Sequence, residues 1–402
     1  MSEAGFAPFG RYVASLAGRT VLQVIPRLDA GGAERTTIDI AEALVEVGAR
    51  ALVASEGGRL ASDLQAVGGV LIPFPAAAKN PISMFFNMRK LARIVIAERV
   101  DILHARSRAP AWVSLFAARI AERPLVTTYH GAYSGRSALK LRYNSVMARG
   151  DVVIANSHFT AGAIKRLYPS AASKLRVIHR GTDLRAFSPA NVERGRVARL
   201  REAWGVQPHE RVVLLAARLT SWKGQKTLIE AAQLLRSRGL DDVRFVLAGD
   251  AQGRDSYVKE LDALIARHGL KGIVLRVGHC QDMPAALLCA SVVAVPSTEP
   301  EAFGRSAVEA QAMGAMVVVS DLGAVPETVL APPDCANDER TGWRVPPADP
   351  QALADALQAA LNLGASAREA IAWRARAHVE RNFSLSQMKD RTLAAYLSLL
   401  PG

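Results

Sequence analysis

Hydrophobic positions along the chain fall into two alternating patterns. Short continuous apolar runs mark strands buried on both faces. Longer stretches with apolar residues every three to four positions mark helices with one buried stripe. In the first half, strands are predicted at 20–25, 51–54, 70–72, 102–104, 125–128, 152–155 and 175–178. Helical spacing runs from 31–34 to near Gly48, and then over 60–67, 81–99, 110–121, 138–149 and 157–168. Around 188–210 the pattern loosens into a polar, arginine-rich stretch with Pro189 and Pro208 near its ends, which predicts a linker followed by a lead-in helix. A second alternation follows. Strands are predicted at 212–216, 245–247, 273–275, 292–295, 317–319 and 343–345, with helices at 223–236, 255–268, 283–289, 304–313, 350–361, 365–381 and 385–400. Such β–α alternation predicts an α/β protein with two doubly wound, Rossmann-like domains, over 1–188 and 189–384.

The most informative stretch runs from Pro296 to Gly314. A buried strand ends, a loop carries Glu301, and helical spacing starts at Gly304 with Glu309 in its first turns. Amides near Gly304–Ala307 are expected to be free helix-start donors, which suit phosphate. Two carboxylates beside an anion site suit a sugar nucleotide, with phosphates for the amides and hydroxyls for the carboxylates. Arg218-Leu-Thr-Ser-Trp-Lys-Gly224 places two cations at another strand end of the same predicted sheet. Arginine can grip phosphate bidentately and lysine supplies a point charge. In the first half, Gly31-Gly32 follows a strand and opens a helix, a geometry that lets backbone approach phosphate. His104, Arg106 and His130 lie at or just after strand ends, where such sheets bind ligands. Gly131 leaves room beside His130.

Composition narrows the partners. The chain has 402 residues, 50 Lys+Arg against 37 Asp+Glu and a formal charge of +13, which favours an anionic partner. No basic block with interleaved aromatics is present, which argues against nucleic acid. The cysteines, Cys280, Cys289 and Cys335, show no metal-ligand spacing, which points to a reducing compartment and no zinc site. Neither a signal peptide nor a spanning segment is expected, so the reading is cytoplasmic, at most peripheral on the inner face of the membrane.

Gly31-Gly-Ala-Glu34, Arg218…Lys223-Gly224 and Glu301-x7-Glu309 within Glu-Pro-Glu-Ala-Phe-Gly occur in an order that resembles the family-4 retaining glycosyltransferases of the GT-B fold. The resemblance covers nearly the whole chain, and the N-terminal half resembles the lipopolysaccharide-core type. Ala217 departs from the glycine usual before the arginine. The resemblance implies two domains facing a cleft, with the last helix (385–402) packing back on the N-terminal domain. It implies His130, Arg218, Lys223 and Glu301 as the catalytic set. Gly31 and Gly32 would approach the donor diphosphate, and Arg218 and Lys223 would neutralise it. Glu301 with the amides of Ala302, Phe303 and Gly304 would hold the donor sugar. Ala307 would offer an amide to phosphate, Glu309 would bind ribose, and Cys280 and Asp282 would lie in the base-binding loop.

The expected reaction moves a hexose from GDP-mannose or a UDP-sugar to a lipid-linked, oligosaccharide or lipopolysaccharide-core acceptor, with retention. No D-x-D occurs, so no metal and no cofactor is expected; cations and helix-start amides would stabilise the departing diphosphate. Helices at 81–93 and 138–149 mix bulky apolar residues with bases, which suits peripheral contact with an acidic membrane. Two other readings share these features: a non-hydrolysing sugar-nucleotide epimerase and a non-catalytic sugar-nucleotide-binding subunit. Donor turnover with and without acceptor separates the three.

Overall fold

The computed structural model describes residues 9–29, 31–131 and 137–401. The chain divides into two compact units, Met1–Gly181 with Leu385–Gly402 and Thr182–Ser384.

The first unit carries a parallel seven-stranded sheet in the order β3-β2-β1-β4-β5-β6-β7. Its strands are β1 (Thr20–Val24), β2 (Arg50–Ser55), β3 (Val70–Pro73), β4 (Ile102–Ala105), β5 (Leu125–Tyr129), β6 (Val152–Ala155) and β7 (Leu175–Val177). The helices are α1 (Gly10–Leu16), α2 (Gly32–Glu46), α3 (Ala61–Ala66), α4 (Pro81–Ala97), α5 (Arg108–Ala121), α6 (Ala138–Asn144) and α7 (His158–Leu167). Every residue of β1, β4, β5 and β6 is buried, as uninterrupted apolar runs require when helices cover both faces. Leu22 of β1 pairs with Leu52 on one side and Leu103 on the other. The sheet separates two cores, one with Leu91, Val95, Ala111 and Leu115 of α4 and α5, the other with Ile38 and Leu44 of α2.

The second unit carries a six-stranded parallel sheet in the order β10-β9-β8-β11-β12-β13. These strands are β8 (Arg211–Ala216), β9 (Val243–Ala248), β10 (Val274–Gly278), β11 (Val292–Val295), β12 (Met316–Ser320) and β13 (Trp343–Val345). Its helices are α8 (Arg194–Trp204), α9 (Gln225–Ser237), α10 (Asp255–Arg267), α11 (Met283–Cys289), α12 (Arg305–Ala312), α13 (Val325–Thr328), α14 (Pro350–Leu361) and α15 (Ala365–Asn382). The chain then returns to the first unit as α16 (Leu385–Leu397), whose Leu393 and Tyr396 are buried in the α2-side core.

Both doubly wound sheets match the predicted alternation, with three departures. Division falls after Gly181 and not after Ser188. The Thr182 amide donates to the Phe383 carbonyl at 2.8 Å, and Leu184 and Phe187 pack against the cluster of Phe303, Val308, Ala312, Val379 and Phe383, so this segment belongs to the second unit. The helix expected over 138–149 breaks after Asn144 into a 3₁₀ turn; the buried Asn144 accepts from Arg108 at 3.0 Å. Finally, two short helices, α1 and α13, were not expected; α1 owes its place to the tertiary contacts of Tyr12, whose hydroxyl donates to Asp390 of α16 at 3.0 Å.

Candidate active site

In the second unit, strand order reverses between β8 and β11, so the loops leaving their C-terminal ends diverge and open a crevice. Those two loops carry Arg218 and Lys223, and Glu301. Backbone geometry ties them together. Gly224 has φ 75°, and a Cβ there would collide with the Pro296 carbonyl, so only glycine permits this approach. The Thr298 amide donates to the Trp222 carbonyl at 2.8 Å. Across the join, Lys223 Nζ donates to Glu301 Oε1, which also accepts from Ser297 Oγ at 2.7 Å. Lys223 also lies over the Trp222 ring, 4.2 Å from its centroid. From the far side, Gly323 bridges Glu301, and the Ala324 amide donates to its carbonyl at 2.8 Å. Glu301 is therefore fixed by backbone on one side and by a cation on the other.

Arg218 is exposed at the same strand end, and its guanidinium has no ion-pair partner among the described residues. Its carbonyl accepts from Gln225 Nε2 at 2.9 Å, which fixes the loop and leaves the cation free to meet an anion.

Gly304 adopts the left-handed conformation, φ 84°, and caps α12. Among the described residues the amides of Arg305 and Ser306 have no acceptor, as the first turn of a helix allows. The Ala307 amide differs from expectation: it donates to the Gly304 carbonyl at 3.1 Å, closing a 3₁₀-type turn, so the free donors lie one and two residues earlier. Glu309 is buried and held by Arg305 one turn before it, Nε to Oε1 at 2.9 Å. Phe303 is buried, edge-on to Phe383 at 5.5 Å, and anchors the loop that presents Ala302 and Gly304.

Asp282 lies just before α11, and its side chain is engaged within its own unit. Its carboxylate takes Arg196 bidentately, at 2.8 and 2.6 Å, and caps α11 through the Ala285 amide at 3.1 Å. Arg196 holds its pKa below the usual carboxylate range. Both oxygens are engaged, so Asp282 shapes the loop rather than offering a side chain to a base. Cys280 is half-buried with Sγ 3.6 Å from the Asp282 carbonyl, and burial raises its thiol pKa.

In the first unit, Gly31 and Gly32 start α2. Gly31 is extended, so its need for glycine is room: a Cβ would collide with the Glu34 carboxylate, which folds back over the helix start. An acidic group at that position suits the helix dipole. An incoming phosphate would have to displace it.

His130 follows β5. Arg180 Nη2 lies 3.5 Å from its Nδ1 and donates to its carbonyl at 3.0 Å. A guanidinium only donates, so Nδ1 is the acceptor and the proton sits on Nε2. Nε2 is buried without a hydrogen-bond partner among the described residues. Burial, with Arg180 and Arg106 adding repulsion, holds His130 well below the ordinary histidine range, so it is a neutral donor. His104 is structural: Nδ1 meets the Tyr396 hydroxyl and Nε2 meets Thr128 Oγ1, both at 2.6 Å. Buried Arg106 is bound by Gln23, Nε to Oε1 at 3.0 Å.

Sequence reasoning missed Ser297, Trp222, Arg180 and Arg305. Only Arg305 left a signal, its four-residue spacing to Glu309.

Residues 30–186 match Glycosyltransferase Family 4, and residues 197–378 match Glycosyl transferases group 1. The structure resembles a glycosyltransferase from Rickettsia africae, with a TM-score of 0.87 and 33% identity over 96% of this chain and 99% of that one. It also resembles Anabaena Alr3699/HepE, solved with UDP and glucose, with a TM-score of 0.81 and 28% identity over 95% and 100% of the chains. A D-inositol 3-phosphate glycosyltransferase of Jonesia denitrificans is 28% identical over 92% of this chain and 91% of its own length.

Proposed function

The chain belongs to the family-4 glycosyltransferases, retaining hexosyltransferases of the two-unit GT-B type, and from that premise we propose how it holds its donor and what it glycosylates. The donor is a nucleoside diphosphate hexose, with a UDP-sugar the first choice over GDP-mannose because the HepE structure holds UDP and glucose. The observation that carries the reading is the join at the β8/β11 crevice. A guanidinium (Arg218) and two helix-start amides without partners among the described residues, a lysine fixed on Glu301 and the Arg305-held Glu309 share one strand edge.

Each group then has a role. Arg218, Lys223 and the Arg305 and Ser306 amides stabilise charge on the departing diphosphate, in place of a metal. Glu301 holds hydroxyls of the transferred hexose, and Glu309 holds the ribose. His130 is neutral, its buried Nε2–H has no acceptor among the described residues, and it serves as a hydrogen-bond donor to substrate and not as a general base. No carboxylate is placed as a covalent nucleophile, and a front-face route through an oxocarbenium-like state is consistent with retention.

The acceptor is proposed to be lipid-linked. The Jonesia relative is named for a phosphorylated inositol acceptor, which provides the competing choice. The test is a thermal-shift screen of UDP- and GDP-sugars, followed by transfer assays with lipid-linked glycans and with D-inositol 3-phosphate. Donor binding shifts stability by mass action. Stabilisation by no nucleotide sugar refutes the donor reading; transfer to D-inositol 3-phosphate alone refutes the acceptor reading.

A further inference from the structure

The two helical layers on the seven-stranded sheet differ in charge. On one face, α2 carries Glu34, Asp39, Glu42 and Glu46, and α3 carries Asp63. On the other, α4, α5 and α6 contain no Asp or Glu at all, and no acidic residue occurs between Asp63 and Glu98 or between Glu122 and Asp151. Lys79, Arg89, Lys90, Arg93, Lys140, Arg142 and Arg149 are all exposed on or beside these helices. A merely soluble surface intersperses both signs; this layer does not.

The same layer leaves large apolar side chains in water. Ile82 is 70% exposed and Phe86 63% on the first turns of α4, and Leu139 is 81% exposed on α6. Phe85 and Phe86 meet edge-on at 5.8 Å, and the Arg89 guanidinium lies 4.3 Å above the Phe85 ring. The three helices form one continuous layer. Leu91 and Val95 of α4 share a core with Ala111 and Leu115 of α5, and Trp112 of α5 donates to the Tyr143 carbonyl of α6 at 3.0 Å. Exposed Phe116 stacks on Trp112 between them. Because α4 and α5 follow β3 and β4, both start at the C-terminal edge of the sheet, the edge that bears Arg106 and His130.

We propose that this face, centred on the start of α4 and extending to α6, docks peripherally on an anionic phospholipid bilayer. Ile82, Phe85, Phe86 and Leu139 would enter the interface while the surrounding bases meet lipid phosphates. Apolar side chains set within cations and free of carboxylates fit that surface chemistry. No described helix is long and apolar enough to cross a membrane, so the contact lies on the surface. The inference builds on the lipid-linked acceptor for its purpose: it brings the acceptor-side sheet edge to where such a substrate resides. It is tested apart from that reading, since flotation needs no substrate.

The experiment is flotation of the full chain with vesicles of phosphatidylcholine alone and with a third phosphatidylglycerol, at low and high salt. Binding is expected only to the anionic vesicles, and to weaken as salt rises. Arg89→Glu/Lys90→Glu should weaken it by more than about twentyfold, since each basic residue at the surface contributes roughly fivefold. Phe85→Ser/Phe86→Ser should weaken it at unchanged charge. All four positions are exposed, and circular dichroism verifies folding; if the serine variant misfolds, the charge variant decides. Absence of anionic-vesicle binding, binding undiminished by the deciding variant, or binding to duplex DNA in place of vesicles overturns the proposal. Loss of flotation with intact donor binding separates this failure from that of the transferase reading.

Discussion

Lys223 and Glu301 are each proposed to serve the donor, yet they hold each other, with side chains only 16% and 12% exposed. Replacing Lys223 by methionine therefore has two consequences. It removes a cation from the departing diphosphate, and it leaves a mostly buried carboxylate with Ser297 alone. Breaking a fully buried pair costs about 3–5 kcal/mol. Here both groups keep some water and Ser297 remains, so about 2–3 kcal/mol is expected, or roughly 4–12 °C in the melting of a unit this size. Turnover should fall by about two to three orders of magnitude. The double variant Lys223→Met/Glu301→Gln removes both charges. Its stability should return to within about 1 kcal/mol of the parent, a coupling of about 2 kcal/mol, while turnover stays low. Urea unfolding and UDP-sugar turnover of the four proteins close the cycle. If turnover returns with stability, Lys223 only braces the loop and the diphosphate role is wrong. If the single losses simply add, the two residues do not act as a pair.

The two glutamates should fail differently. Glu309→Gln is expected to weaken UDP by about ten- to a hundredfold, the value of a charged hydrogen bond, and Arg305→Ala should follow it; Glu301→Gln should leave UDP affinity nearly intact but depress transfer. Calorimetry with UDP reads this, and the reverse order of losses refutes the assignment. Turnover should survive EDTA; activity abolished by chelation and restored by magnesium would show that the cations do not replace a metal. Gly224→Ala should destabilise the second unit by more than the ~1 kcal/mol of its positive φ, because the Cβ collides with Pro296; an unchanged melting temperature would mean the loops are not clamped there. His104 and His130 titrate well below the ordinary range, mainly through burial. Below about pH 6.5 the unfolded chain binds more protons than the folded one, so stability is present above that pH. It should be lost as pH falls, by up to about 1.4 kcal/mol per pH unit for each histidine. His104→Gln should flatten the melting-versus-pH slope between pH 6.5 and 5; an unchanged slope would contradict the burial.

The sequence alone determined the alternation of buried strands and one-sided helices, because a strand covered on both faces must be apolar throughout and a helix against a sheet need be apolar on only one stripe. It thereby determined two doubly wound sheets and placed Arg218, Lys223 and Glu301 at strand ends, since a parallel sheet sends every such loop to one edge. Local spacing also contained the Arg305–Glu309 pair and the Asp282 cap. Tertiary structure decided what those residues do to one another. That Lys223 reaches Glu301, 78 positions away, depends on β8 and β11 being neighbours and on Gly224 admitting the Pro296 carbonyl. That His130 is neutral depends first on its burial, and that Nδ1 is the acceptor depends on Arg180, which arrives from beyond β7. The unit boundary moved to Gly181 because Leu184 and Phe187 found apolar partners in the cluster of Phe303, Val308, Ala312, Val379 and Phe383. Periodicity records which side of an element faces a core; it carries no record of which distant side chain completes a charge or occupies the facing space.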